Sequence, residues 1–216
     1  MNALIHVETW DVNKRLAELG LDQEGLRDVV QRGHLAYITC TANHPPMVPA
    51  IWAWGETVRA LREHLLPKGW ERSDDNNYST VIDPTKQFVI AVCAGDEGTG
   101  RPDATPSNKT PKGPSTMDAI AANQFQLGLP LEFQTQPTSI RPTEGMDDRV
   151  TRILLVYRST KEVRCELSLP SSIGIGGRID NWRERILLGT IPLDGDLIEI
   201  APPELQGITV DVKRKA

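Results

Sequence analysis

The sequence predicts an α+β fold, with a helical N-terminal layer packed on a mixed or antiparallel sheet and a C-terminal third of mostly antiparallel strands. Three observations predict it. Apolar residues recur at spacings of three and four through the first seventy positions. From residue 78 the runs become β-branched, and the last third reads as strands joined by short polar turns. The 216 residues read as one domain, with a possible subdivision into 1–128 (helices and central strands) and a β-rich 141–216.

In order, WDVNKRLAELG predicts a first helix: Asp11 as cap, Val12, Leu16 and Leu19 on the buried side, Gly20 as stop. Asp22 is placed to cap a second helix burying Leu26, Val29, Val30 and Leu35. Gly25 and Gly33 weaken its ends. The third helix reads from ETVRALREHLL, with Val58, Leu61, Leu65 and Leu66 on one side and Pro67 and Gly69 as terminators. Between the second and third, TANHPPMVPAIWAW carries three prolines and predicts an extended surface crossing, in which Trp52 and Trp54 point the same way.

YSTVID (78–83) and QFVIAVCAG (87–95) predict a hairpin, and the unbroken apolar run of the second predicts a strand covered on both faces. Ser115 with Asp118 has the capping-box spacing that opens a helix, STMDAIAANQ. VTRILLVYR (150–158) and EVRCELSLP (162–170) follow as strands. In the second, Val163, Cys165, Leu167 and Leu169 alternate with Arg164, Glu166 and Ser168, predicting one core face and one wet face. RILLGTI, DLIEIA and ITVDVKR read as further strands, with Asp194 and Gly195 as a turn. Residues 129–149 read as a proline-rich linker or covering loop.

Composition narrows the function classes. With 24 Lys and Arg against 29 Asp and Glu, the net charge of −5 disfavours nonspecific nucleic-acid binding, which rests on cations neutralising phosphates. Lys213, Arg214 and Lys215 are the only basic cluster, too short to track a backbone. No apolar stretch reaches membrane-helix length, and MNALIHVETW lacks a secretory signal pattern, so the expectation is a cytoplasmic protein without membrane contact. Cys40, Cys93 and Cys165 are odd in number and widely spaced, which argues against a disulfide framework.

The strongest anomaly is GDEGTGRPDATPSNKTPKGPS, residues 95–115, where 13 of 21 positions are Gly, Pro, Ser or Thr. It follows a buried strand and precedes a helix, the place where sheet ends and helix N-termini offer amides to anions. Neither GxxxxGK[ST] nor GxGxxG occurs in it. The reading is an ordered loop whose ligand-binding residues are Arg101, Lys109, Lys112, Ser115 and Thr116. SSIGIGGR (171–178) offers a second set of glycine amides but reads as a turn between strands. Cys40 and His44, with His34 nearby, have a spacing compatible with two zinc ligands, short of the three or four a site needs; no metal and no cofactor are expected.

The leading expectation is a non-catalytic binding or accessory protein using the 95–115 loop to engage a protein partner or an anionic small molecule. One alternative is an enzyme acting on a phosphorylated or carboxylated metabolite with Asp96 or Asp83 as acid or base; otherwise both carboxylates cap turns. The other is a structural or homo-oligomer-forming protein pairing through exposed strand edges in the C-terminal third.

Overall fold

The computed structural model describes residues 3–126, 149–174 and 176–193. The expected DLIEIA and ITVDVKR strands, the Asp194–Gly195 turn, the basic C-terminal cluster and the 129–148 linker lie outside these residues. Seven strands form one sheet: β1 (Leu4–His6), β2 (Glu71–Ser73), β3 (Thr80–Ile82), β4 (Phe88–Ala94), β5 (Val150–Arg158), β6 (Glu162–Gly174) and β7 (Arg178–Pro192), in the order β1-β7-β6-β5-β4-β3-β2. The β1–β7 and β4–β5 pairs are parallel and the other four are antiparallel, so the sheet is mixed and the α+β expectation holds.

Three helices, α1 (Thr9–Glu18), α2 (Gln23–Ile38) and α3 (Val48–Leu65), cover one face of the sheet, while α4 (Pro114–Gln126) lies on β5 and β6 from the other. Helix α2 starts as the sequence predicts, with the Asp22 carboxylate accepting from the Gly25 amide at 2.6 Å. Its buried stripe is Leu26, Val29 and Val30, but Leu35 is half exposed because, nine residues after Leu26, it falls on the opposite side of the helix. Asp11 does not cap α1. It sits inside the first turn, where it accepts from His6 Nδ1 at 2.7 Å.

The proline-rich crossing is a larger correction. Helix α3 begins at Val48, eight residues before the expected Glu56, because Pro49 occupies the first turn, where its missing N–H removes no helical bond. Trp52 and Trp54 are therefore roughly 200° apart around a helix and diverge. Trp54 Nε1 donates to the Val92 carbonyl at 3.2 Å, whereas Trp52 meets the His44 ring edge-on at 5.4 Å.

The central hairpin is as expected, with β3 antiparallel to β4, and β4 buried along Val89–Cys93. Ile90 and Val92 face the α1–α3 layer, Ala91 and Cys93 face α4. Asn123, fully buried on α4, donates to Thr151 O and Pro170 O and accepts from the Thr151 amide, tying the helix to β5 and β6. The Ser115–Asp118 box does not form. The chain enters α4 at Pro114, and Ser115 Oγ turns to the Asn76 carbonyl at 3.4 Å.

The sheet face expected to be wet is buried. Arg164, Glu166 and Ser168 are 4%, 0% and 0% exposed. What covers them is the 95–113 loop.

Candidate functional site

The loop is ordered by side chains of the sheet it covers. Asp96 N donates to Ser107 O and Lys109 N to Ala94 O, so the loop leaves and rejoins the end of β4 as a closed flap. Beneath it, Glu166 and Arg185 form a buried pair at 2.6 Å. The rest of Arg185 donates to Ala104 O at 2.6 Å and Arg101 O at 3.0 Å, and Glu166 Oε2 accepts from the Gly100 amide at 2.7 Å. Gly100 has φ +72°, and a Cβ there would fall 3.0 Å from Arg164 Cβ, so a side chain would lift the loop from the pair. Trp182 Nε1 donates to Pro106 O, Arg164 Nη2 to Glu97 O, and fully buried Asn108 bridges Thr110 O, Gly177 O and the Ile179 amide. Glu166 on β6 and Trp182 and Arg185 on β7 are thus bonded to the loop backbone, while Arg164 Nη1 has no hydrogen-bond partner.

Where the flap rejoins β4, the C-terminal ends of the parallel strands β4 and β5 meet α2 and α3 around a recess of about 90 Å³. Its lining includes Tyr37, Trp54, Thr57, Lys109 and Arg158. Ligands in open α/β sheets gather at such strand ends. Arg158 is the last residue of β5 and shares a face with Leu154 and Val156, which brings it under the α2–α3 crossing. That crossing is close because Gly33 carries no side chain: a Cβ there would lie 1.9 Å from Thr57 Oγ1 and 3.1 Å from Arg158 Nη2.

The electrostatics of this recess differ from those under the flap. Arg158 Nη2 donates to Thr57 Oγ1 at 3.2 Å, while its Nε is buried with no hydrogen-bond partner. No carboxylate among the described residues pairs with it. Burial pulls its pKa down to about 10, which leaves it charged at neutral pH. Its neighbours do not compensate: burial pushes the Cys165 thiol up to about 12, and burial, then the nearby Arg158 charge, lowers the His34 imidazole. His34 Nδ1 is also without a partner. Lys109, exposed at the rim, adds a second cation.

Of the five expected contact residues, only Lys109 reaches this recess. Arg101 is exposed, with its carbonyl taken by Arg185. Lys112 lies on the opposite face, its ammonium toward the buried Cys93 thiol and its amide bonded to Gly177 O. Thr116 is buried near the Tyr78 hydroxyl, which has no hydrogen bond of good geometry. The candidate carboxylates serve turns. Asp96 accepts from the Gly98 amide, while Asp83 accepts from the amides of Thr85 and Phe88 and from the Thr85 hydroxyl. Arg158, Thr57 and Tyr37 carry no motif in their own segments, while the Trp52–Trp54 pair signals by composition an apolar groove beside His44, Pro45 and Pro46. The legible signal was parity: Arg158 falls four residues after Leu154 and two after Val156 in an alternating strand.

Cys40 Sγ donates to Ala36 O and His44 Nδ1 accepts from the Thr41 amide, and no group of three or more metal-ligating side chains occurs among the described residues. No described helix is long and apolar enough to cross a membrane. No protein family, curated protein or solved structure matches the chain.

Proposed function

We propose that this chain is a non-catalytic binding protein for a small anionic ligand, whose carboxylate or phosphate group is held by Arg158 and Lys109 at the ends of β4 and β5. The observation that carries the reading is the partly buried guanidinium of Arg158, which opens on a recess, bonds only to a threonine hydroxyl and keeps a buried Nε without a partner. A partly desolvated charge without a carboxylate partner lowers stability, and an anion in the recess supplies the missing partner. The 95–113 flap supports the site from beneath and contributes Lys109.

The test is thermal unfolding of the full chain with acetate, citrate, inorganic phosphate and octanoate. A ligand at 100 times its Kd adds about 2.7 kcal/mol, which raises Tm by roughly 5–10 °C for a domain of this size. Arg158→Gln abolishes that response and Lys109→Ala weakens it. A wild-type Tm unmoved by every anion, or a response retained in Arg158→Gln, overturns the reading.

A further inference from the structure

The recess is too small for a whole metabolite. Bound organic ligands commonly occupy ~300–1,000 Å³, and about 90 Å³ takes an anionic group with a few attached atoms. The remainder of any larger ligand lies outside, on whatever surrounds the mouth.

That surround has an unusual composition. From Gly33 to Gly55, 23 consecutive residues contain no Asp, Glu, Lys or Arg, in a chain that is 25% charged. The segment is the end of α2, its connection and the first turns of α3, and it is not a core segment. Leu35, Tyr37, Ile38, Met47, Ile51, Trp52 and Trp54 are each between 42% and 66% exposed. Exposed apolar residues grouped beside a recess mark binding surfaces. Two of them, Tyr37 and Trp54, also line the recess, so apolar surface borders its cationic end, whereas Trp52 lies on the other side of α3. Ala50, Trp54 and Thr57 follow helical spacing down one side of α3, which carries that lining from outside to the guanidinium. Trp54 is held in place by its bond to Val92 O.

From the small recess, its unpaired cation and the charge-free aromatic mouth, we infer that the ligand is a free amphiphilic anion: a carboxylate or phosphate bearing an apolar tail or ring. The head pairs with Arg158, and the apolar part leaves the recess between Tyr37 and Trp54. The polar and apolar parts of the lining then each meet their like. This rests on the anion reading above and sharpens it to a ligand class.

Calorimetric titration of the full chain with acetate, butyrate, octanoate and 1-octanol tests it, with inorganic and octyl phosphate as a second pair. Affinity rises from acetate to octanoate by about threefold per methylene that is buried, at least tenfold across the series, and octanol binds far more weakly than octanoate. Tyr37→Ala flattens the chain-length dependence; Trp54→Phe, which keeps an apolar ring, reduces it less. Arg158→Gln loses the preference for octanoate over octanol. Equal affinity for acetate and octanoate overturns the amphiphile inference but leaves the anion site standing. Failure of the carboxylates and both phosphates to bind overturns the anion site itself. Octanol binding as tightly as octanoate, or sedimentation with phosphatidylcholine vesicles containing phosphatidic acid without affinity for dispersed octanoate, also overturns the inference.

Discussion

Two arginines on the strands that flank β6, Arg185 and Arg158, are treated in opposite ways by the same fold. Arg185, on β7 under the flap, has a carboxylate at 2.6 Å and two backbone carbonyls, and the flap closes over all of them. Arg158, at the end of β5 under the helices, has one hydroxyl and an open recess. They lie on opposite faces of the sheet, Arg185 among polar side chains under the flap and Arg158 beside the apolar helix-side core. The difference is completeness of pairing: the first network is finished by the protein, and the second is left for something else to finish. The composition of the 95–113 segment predicts a ligand-binding element. Its backbone binds polar side chains of the sheet, and Arg158 lies beside it.

The largest way to break this comparison is to unpair the finished network. Arg185→Met leaves Glu166 buried and alone, with an expected loss of about 3–5 kcal/mol in denaturant unfolding. The double replacement with Glu166→Leu recovers a large part of it. A loss under about 1 kcal/mol for Arg185→Met would mean that the flap is not held by the pair.

A third buried network, on the helix side, sharpens the same point through pH. Burial alone would raise the pKa of Glu184, but Arg15 at 2.5 Å and Arg152 at 2.7 Å hold it down at about 2. A folded value below the ordinary 4.5 means that the stabilisation is complete above about pH 4.5 and is lost as pH falls toward 2. The expected decrease is roughly 3 kcal/mol, followed by unfolding at stepped pH, and Glu184→Gln removes most of that dependence.

The roof of the recess is next in size. Gly33→Ala places a methyl group against Thr57 and Arg158, with an expected cost of about 1–3 kcal/mol despite the helix preference for alanine. Thr57→Ala in the same chain relieves part of it. The smallest effect has the opposite sign. Arg158→Met removes an uncompensated charge, so stability is unchanged or rises by up to ~1 kcal/mol while the response of Tm to anions disappears. A loss like that of Arg185→Met would erase the distinction between the two arginines.

Much of the architecture was legible because it depends on local pattern. The helical spacing around Leu26, Val29 and Val30, the Asp22 cap and the β-branched run of β4 each carried its own signal. β1 was missed because a three-residue strand is too short to show a period. The true start of α3 was missed because prolines were read as breakers when Pro49 sits in a first turn. The recess was hard to see for another reason. Tyr37, Trp54, Lys109 and Arg158 come from two helices, a loop and a strand, and each is unremarkable in its own segment.

The sequence by itself determined which segments coil and which extend, since neighbouring side chains three, four or two apart decide that. It also set the charge-free stretch from Gly33 to Gly55, which is a matter of composition alone. Only the tertiary structure decided that Arg164, Glu166 and Ser168 are dry and that Arg158 is alone. Whether a polar group is satisfied depends on what crosses over it from far along the chain, and that proximity leaves no trace in local spacing.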